Sequence, residues 1–414
     1  MQSEDIEAMM AVLQSDRHLS DGTNVTAFEQ AFADYVGSPH AVAVSSCTMA
    51  LELAVRSLEL RPEDEVITTP LTFQATAAPL LDTPAVVKFA DISESTLCLD
   101  PRSVVDNITE RTRAVITTHY GGLCGGLEEL SRITRERGIF LIEDCAHALG
   151  AKVAGHSAGT WGDIGCWSFH SLKNISTLGQ GGMLTFRNPS LDSRFRAARS
   201  INPDARFSLR EEPYSFDHFG RATLPRPETH EKNAYTHDCE EVIRGGLNAQ
   251  MSDPAAAVGR SQLKRLDSLV EKRRRLANRL DEKLTNIEGV RTVQHKSDGD
   301  VHAHHLYAFL LDDITIDRDQ LARDLEMLGV QIVLRYFPLH LLPEWRLHGG
   351  RIGLTPIAED IWFRRLMNLP LSPQLTFEDV DFMAQALEDA LMLQRSEPLL
   401  SRGSCQPRVE SDAR

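Results

Sequence analysis

Short apolar strands alternate with amphipathic helices through the first half of the chain. Strand-like runs occur at 41–46, 64–70, 85–91, 113–120 and 139–144. Helical patterns occur at 28–35, 48–58, 73–80 and 127–138. Strands this uniformly apolar are usually buried on both faces, so the alternation predicts an α/β protein with a mostly parallel sheet covered by helices on both sides. Ligands bind to such sheets beyond the carboxyl ends of the strands.

Polar residues follow several of these strands. Cys47 and Thr48 follow the first one, and Asp144 ends the strand at 139–144. The turn at Cys47 and Thr48 also opens a helix, and a helix N-terminus offers unpaired backbone N–H groups to an anion. This turn is therefore a candidate phosphate site, although an ordinary capped helix has the same sequence pattern.

A single lysine, Lys173, is unusual in its surroundings. The segment 167–183, WSFHSLKNISTLGQGGM, places it between an apolar stretch and a glycine pair, among hydroxyl groups and without other strongly charged neighbours. A lysine that is held away from water has a lowered pKa and can act as a nucleophile. A lone lysine is more often a surface residue, so the case for an imine-forming Lys173 depends on the residues around it.

Composition limits the possible partners. The chain has 414 residues, 42% hydrophobic and 25% charged, which are ordinary globular values, and a formal net charge of -15. Such an acidic chain disfavours nucleic-acid and membrane binding. The basic cluster at 272–275, KRRR, lies in a helical pattern with acids nearby and is interpreted as a solvated helix face.

An acidic start and the lack of a long apolar stretch favour a cytoplasmic protein. The 7 cysteines are scattered and form no CxxC pair, which fits buried free thiols.

The length suits a large and a small domain. We expect a large domain at 1–250, a bridging helix with a small α+β domain at 251–396, and a disordered tail at 397–414. The bridging helix is predicted at 253–287, either continuous or broken once. Further predictions are an irregular connection at 201–243, a strand at 306–311, a helix at 318–329, a strand at 330–337 and a helix at 377–391.

A lysine, a strand-end aspartate, a phosphate-type turn and an aromatic residue are the groups that pyridoxal phosphate needs. In this chain the motifs FEQAFADYVG, AVAVSSCTMAL, DEVITTPLTFQATA, EDCAHALGA, SFHSLKN, GQGGM, GLNAQM, AAAVGRSQLKRLD and NLPLSPQLTFEDV occur in this order, within a matching region that extends from about residue 19 to 391. By these motifs the chain resembles the DegT-type sugar aminotransferases, pyridoxal-phosphate enzymes of fold type I. The resemblance implies a three-layer aminotransferase fold, with a large mostly parallel sheet domain and a smaller C-terminal α+β domain.

The resemblance also implies roles around the cofactor ring. Lys173 would form the imine with the cofactor and move the proton, while Asp144 would pair with the pyridinium nitrogen. His147, one helical turn beyond Asp144, would lie near the ring, and Phe73 would cover it. From the residues alone, a packed histidine with satisfied hydrogen bonds is the alternative interpretation of His147.

Phosphate and substrate contacts are implied in the same way. The amides of Thr48 and Met49 and the hydroxyl of Ser168 would hold the phosphate. Asn248 would reach the phosphate of a neighbouring subunit, which implies a homodimer with shared active sites. Tyr336 and His340 would lie near the sugar. The expected reaction moves an amino group from L-glutamate or glutamine to a keto sugar or keto cyclitol.

Some features depart from the family pattern or leave alternatives open. Cys47 stands where glycine is usual, Gln180 replaces a glutamate, Gln250 stands where arginine is common, and the segment after Lys173 is one residue longer. A deoxysugar dehydratase and a non-catalytic regulator on the same fold are the alternative functions.

A histidine cluster raises the separate question of a metal site. His302, His304 and His305 follow the spacing H-x-H-H. At most two of them could share a metal if they lay on a strand, so no metal site is predicted. The family resemblance implies instead that this segment lies near the sugar site.

Overall fold

A seven-stranded sheet forms the centre of the protein in the computed structural model, which describes residues 1–15, 19–20, 22–200, 246–293 and 299–396. Its strands are β1 (His40–Val44), β2 (Glu65–Thr68), β3 (Val86–Phe89), β4 (Thr112–Thr118), β5 (Phe140–Asp144), β8 (Ile164–Ser168) and β9 (Gly182–Phe186). Their order is β1-β9-β8-β5-β4-β2-β3, and β9 runs antiparallel to both neighbours while the other paired strands are parallel. The predicted mostly parallel sheet is confirmed.

Helices cover both faces of this sheet. Neighbouring strand residues belong to different hydrophobic clusters: Ala41 and Leu141 pack on one face, and Val42 and Ile142 pack on the other. The helices of this part are α1 (Ser3–Leu13), α2 (Thr23–Val36), α3 (Cys47–Ser57), α4 (Pro101–Asn107), α5 (Leu127–Arg137) and α6 (Ser190–Arg199). The cluster of Ala41 receives apolar residues from α2 and α5, and the cluster of Val42 receives them from α3 and α6. The strands are therefore buried on both sides, as their composition requires.

A smaller antiparallel sheet follows along the chain. It has the order β10-β11-β12, with β10 (Val290–Thr292), β11 (Tyr307–Leu311) and β12 (Leu366–Leu369). The accompanying helices are α9 (Arg318–Met327), α10 (Pro343–Leu347), α11 (Pro356–Asp360) and α12 (Phe377–Ser396). Short strands β6 (Lys152–Val153) and β7 (His156–Ser157) form a separate two-stranded pair.

Two consecutive helices, α7 (Asp253–Leu263) and α8 (Leu266–Leu284), connect the two cores. The first turns of α8 place Leu266 and Val270 in a cluster of the large sheet, whereas Leu280 and Leu284 pack with α9 and α12. The predicted bridging helix with one break is confirmed. No described helix combines the length and the apolar character that crossing a membrane requires.

Two predicted elements are wrong in detail. The segment 330–337 is not a strand, because its backbone is fixed by other groups: the Arg335 N–H donates to the Asn368 side chain at 3.1 Å. The predicted helix at 73–80 is two short 3₁₀ turns, Gln74–Thr76 and Ala78–Asp82, since Pro79 disfavours a continuous α-helix. The connection at 201–243 and the tail at 397–414 lie outside the described residues.

Candidate active site

The carboxyl ends of neighbouring parallel strands bring the predicted site residues together. Thr118 of β4 is paired with Asp144 of β5, and Asp144 is paired with Cys166 of β8, two residues before Ser168. A cavity of about 600 Å³ lies at this edge. Its lining includes seven of the ten predicted site residues, Thr48, Phe73, Asp144, His147, Ser168, Lys173 and Tyr336.

Lys173 lies in the loop between β8 and β9. Its backbone N–H donates to the His170 carbonyl at 2.8 Å, and the side-chain amide of Asn174 donates to the carbonyls of Leu149 at 3.0 Å and Ala303 at 3.2 Å. These contacts fix the loop against the cavity. Burial lowers the pKa of Lys173 from 10.5 to about 8, and the negative charge of Asp144 only partly offsets this effect.

Asp144 is a buried carboxylate at the floor of the cavity. The Thr76 hydroxyl donates to its Oδ2 at 2.6 Å, and the Ala146 N–H donates to its Oδ1 at 3.0 Å. Burial nevertheless raises the pKa of Asp144, and its neighbours in hydrogen bonding carry no positive charge. A cationic N–H that entered the cavity next to this carboxylate would stabilise its ionised form.

The N-terminus of α3 provides the anion-binding groups. Ser46 caps this helix, and its hydroxyl accepts the Met49 N–H at 3.2 Å. Met49 does not line the cavity and its amide is already bonded, which differs from its predicted contact with phosphate. The amides of Cys47 and Thr48 have no acceptor among the described residues, so they are available to an anion.

Close packing holds this helix terminus near the lysine loop. A Cβ atom on Gly182, at the start of β9, would lie 2.4 Å from the carbonyl group of Ser46. Only glycine permits this approach. Cys47, by contrast, has no positive φ and does not need the freedom of the glycine that the family usually has there.

His147 and Tyr336 form a hydrogen-bonded pair. The Gly121 N–H donates to His147 Nδ1 at 3.3 Å, which assigns the proton to Nε2, and Nε2–H then donates to the Tyr336 hydroxyl at 3.0 Å. Burial lowers the pKa of His147, so the ring is neutral. The expected helical turn after Asp144 is absent, because residues 145–149 form turns and not a helix.

The structure does not bring two further predicted residues into the cavity. Asn248 is exposed, and its N–H donates to the Ser200 carbonyl at 3.1 Å. His340 is fully buried, with Nε2 2.9 Å from Glu359 Oε1 and its ring 5.9 Å from that of Phe89. His340 therefore has a packing position, away from the cavity lining.

Two arginines that the sequence did not lead us to expect, Arg273 and Arg335, also line the cavity, together with His305. Arg273 belongs to the basic cluster that was interpreted as a solvated helix face, yet it is only 5% exposed. A signal was present: Arg273 lies three residues after Val270 and four before Ala277, on the apolar side of α8. That position predicts burial whatever the residue type.

The other buried charges near the site are structural. Glu143, next to Asp144 on β5, accepts backbone N–H groups from Gly159 at 2.7 Å, Trp161 at 2.9 Å and Gly162 at 2.7 Å. His119 Nε2 lies 3.0 Å from the same carboxylate. Because successive residues of a strand point to opposite faces, Glu143 holds a loop while Asp144 reaches the cavity.

The three histidines at 302–305 are divided between two places. The rings of His302 and His304 stack with their centroids 3.8 Å apart and line a separate cavity of about 850 Å³. The ring of His305 lies 4.3 Å from that of His147 in the first cavity. The three side chains thus do not converge on one point.

A mostly parallel sheet whose strand ends gather a lysine, a buried aspartate and an open helix N-terminus is the arrangement of an aminotransferase. The model of the DegT/DnrJ/EryC1/StrS aminotransferase family matches residues 1–388, and the chain belongs to this family.

Relatives extend over almost the whole chain. The chain is 33% identical over 390 residues to the spore coat polysaccharide biosynthesis protein SpsC of Bacillus subtilis, covering 93% of this chain and 94% of the relative. It is 31% identical over 392 residues to the dTDP-4-dehydro-2,3,6-trideoxy-D-glucose 4-aminotransferase of Saccharopolyspora spinosa, covering 94% of each. The crystal structure of the aminotransferase TlmJ from Streptoalloteichus hindustanus superimposes with a TM-score of 0.82 at 31% identity, covering 96% of this chain and 98% of TlmJ.

Proposed function

We propose that this aminotransferase uses pyridoxal 5'-phosphate to move an amino group from L-glutamate or glutamine to a keto sugar or a related keto cyclitol, in amino-sugar or natural-product biosynthesis. Aminotransferases of this family depend on pyridoxal phosphate, and one relative is named for a keto-sugar substrate. The observation that carries the proposal is the single cavity that Lys173, Asp144 and the N-terminus of α3 share.

The residues present fit the cofactor. When bound, pyridoxal phosphate supplies an electron sink for charge that develops on the substrate carbon. Asp144 would accept the pyridinium N–H, which would give this buried carboxylate a cationic hydrogen-bond donor in addition to the neutral Thr76 hydroxyl and Ala146 N–H. Lys173 would hold the cofactor covalently through Nζ, and Phe73 would lie against the ring.

The phosphate would lie at the N-terminus of α3. Thr48 would donate from its free amide and its hydroxyl, and Ser168 from its hydroxyl, since both residues line the cavity. The positive end of the helix dipole adds a favourable interaction with the phosphate charge.

Lys173 would also move the proton between the substrate carbon and the cofactor. With a pKa of about 8, about half of the amine is neutral at pH 8, compared with about 0.3% for an ordinary lysine. A neutral amine can accept a proton, so the lowered pKa suits this role. The neutral His147 and the Tyr336 hydroxyl would orient groups at the side of the cavity without adding charge.

A homodimer with shared active sites is part of the proposal. Phe73 and Leu172 line the cavity but are 58% and 63% exposed, and Leu178 in the segment after Lys173 is 40% exposed. Contact with a second copy would bury these apolar side chains. Asn248 would then reach the phosphate in the partner's site. We also propose that the enzyme is located in the cytoplasm.

Half-reactions test the function. Cofactor-loaded protein should lose its visible absorbance band when L-glutamate or glutamine is added, and a keto sugar from a panel should restore the band with formation of an amino sugar. Asp144→Asn should bind the cofactor but convert it far more slowly. A protein that binds no pyridoxal phosphate, or that yields a deoxygenated sugar, would contradict the proposal.

A further inference from the structure

One segment of the C-terminal half packs against the large sheet and begins next to the cavity. This arm, residues 338–360, starts two residues after Tyr336, which lines the cavity, and it contains α10 and α11. Its residues Leu339 and Trp345 are 1% and 3% exposed and belong to the hydrophobic cluster that the large sheet forms with α3 and α6. The arm is therefore part of the core of the large sheet, although it lies between strands β11 and β12 of the smaller sheet along the chain.

Hydrogen bonds fasten the arm at both ends to the loops that follow strands β2 and β3. Near its start, the Leu339 N–H donates to the Pro70 carbonyl at 2.8 Å. Near its end, the Asp91 carboxylate accepts the N–H groups of Ile357 at 2.8 Å and Ala358 at 3.0 Å, in the first turn of α11. The arm is thus held at the edge of the large sheet where the parallel strands have their carboxyl ends.

A buried pair, His340 and Glu359, joins the two ends of the arm. His340 is 0% exposed, and its Nε2 lies 2.9 Å from Glu359 Oε1. Burial lowers the pKa of His340, so the ring is neutral, and a neutral ring bonds to a carboxylate by donating, which assigns the proton to Nε2. The Glu359 carboxylate also accepts the N–H groups of Gly353 at 2.9 Å and Thr355 at 3.3 Å. One carboxylate therefore ties the start of the arm to the loop before α11.

The start of the arm lies between two walls of the cavity. Tyr336 precedes His340 by four residues and forms one wall. Phe73 follows Pro70 by three residues and forms the other, and the ring centroids of Phe73 and Tyr336 are 6.1 Å apart. The hydrogen bond from Leu339 to Pro70 connects the two walls. A displacement of the start of the arm therefore changes the separation of the two rings.

We propose that His340 is a positioning residue for the reaction: its hydrogen bond to Glu359 holds the start of the arm, and through it Tyr336, at the separation from Phe73 that the reacting substrate requires. His340 lines no part of the cavity and acts through Tyr336. This inference rests on the proposed function. It assigns His340 a task at one remove from the substrate, where the resemblance implies a direct contact.

Loss of the pair should disturb the cavity without removing any group from it. His340→Leu leaves the Glu359 carboxylate with one donor fewer and releases the start of the arm. The Tyr336 hydroxyl, 3.0 Å from His147 Nε2, would then shift. A misplacement of about 1 Å can lower the rate of a positioned reaction by about 100-fold. We therefore expect His340→Leu to react about 10-fold or more slowly than the wild type.

Hydrogen exchange followed by mass spectrometry tests the physical connection on the cofactor-free protein. In His340→Leu, peptides that cover residues 334–342 and 70–76 should exchange faster than in the wild type. His340→Gln should exchange like the wild type, because the glutamine side chain keeps a donor for Glu359. Leu130→Ala is the matched control, since Leu130 is 0% exposed on α5 and packs on the opposite face of the large sheet. This control should leave the exchange of both peptides unchanged.

A double-mutant cycle separates positioning from a general loss of structure. The half-reaction of the cofactor-loaded protein is followed by loss of its visible band over a range of L-glutamate or glutamine concentrations. His340→Leu should lower the rate at saturating donor by about 10-fold or more in the wild-type background but by less than about 2-fold in Tyr336→Ala, where the positioned side chain is absent. His340→Gln should restore most of the wild-type rate.

Glu359→Ala guards against loss of folding in His340→Leu. It removes the same hydrogen bond from the partner whose side chain is 12% exposed, and it should give the same exchange and the same dependence on Tyr336. Equal losses of rate in both backgrounds, or unchanged exchange of residues 334–342, would overturn the inference. A wild type that binds no pyridoxal phosphate refutes the proposed function, and a reactive wild type whose rate His340→Leu and Glu359→Ala leave unchanged refutes this inference alone.

Discussion

Thr76→Val should weaken the support of Asp144 without changing the shape of the site. The buried Thr76 hydroxyl donates to Asp144 Oδ2 at 2.6 Å and lies 2.7 Å from the Thr72 hydroxyl, which is 3.0 Å from that of Thr118. Valine replaces the hydroxyl by a methyl group of similar volume. Asp144 would then remain buried with one hydrogen-bond donor fewer, and its ionised form would be destabilised.

The expected effect depends on pH. A hydrogen bond to a charged group contributes about 1.5–3 kcal/mol, which corresponds to a rise of about one to two units in the pKa of Asp144. Burial already raises this pKa in the folded protein. The protonated form of Asp144 therefore contributes to folding stability. This contribution is fully present below the pKa that Asp144 has in the unfolded chain, and it is lost as pH rises through the pKa that Asp144 has in the folded protein. Thr76→Val should therefore cost about 1.5–3 kcal/mol where the carboxyl is ionised and less as the carboxyl takes up a proton, so the cost should be larger at pH 8 than at pH 4.5.

Urea denaturation of the cofactor-free protein at the two pH values measures this difference. Thr118→Val is the matched control, because its hydroxyl contacts Thr72 and not the carboxylate. The control should show a smaller loss that does not depend on pH. The reasoning is wrong if Thr76→Val costs the same free energy of unfolding at pH 4.5 and pH 8, or if the control reproduces its pH dependence.

Two further predictions concern the lysine and the core. Because burial lowers the pKa of Lys173 to about 8, the rate of covalent cofactor attachment, followed by stopped-flow absorbance, should rise with pH with a midpoint near 8. A midpoint near 10.5, the ordinary value, would contradict this. Phe32→Ala should lower the free energy of unfolding by about 3–5 kcal/mol, since the buried ring of Phe32 lies 5.2 Å from Trp167 and 5.4 Å from Phe169. Phe382→Ala, at a position that is 55% exposed, should stay within about 0.5 kcal/mol, and similar losses in both variants would refute this assignment of the core.

The parts of the site that sequence could predict are those set by local pattern. Apolar runs locate the strands, and the parallel arrangement then brings their carboxyl ends to one edge. That reasoning places Asp144, Ser168 and Thr48 around one cavity, as the structure has them. The resemblance to a known family supplied the roles, which local pattern alone does not contain.

The parts that sequence could not predict depend on distant contacts. Arg273 is buried by backbone carbonyls 31 and 98 residues further along the chain. The segment 330–337 is rich in β-branched and aromatic residues like a strand, but the Asn368 side chain accepts the N–H of Arg335. His340 is expected near the sugar from the resemblance, and its pairing with Glu359 appears only when the chain is folded. In each case the deciding partner is remote in sequence.

Lys173 is the residue that we propose holds the cofactor. Protein incubated with pyridoxal phosphate, reduced with borohydride and digested should yield one modified peptide, and mass spectrometry should place the added group on Lys173. Lys173→Ala should give no reduced adduct, while Lys152→Ala, which changes an exposed lysine on β6, should give the wild-type result. A wild-type adduct on any other lysine, or an adduct that persists in Lys173→Ala, would contradict the account.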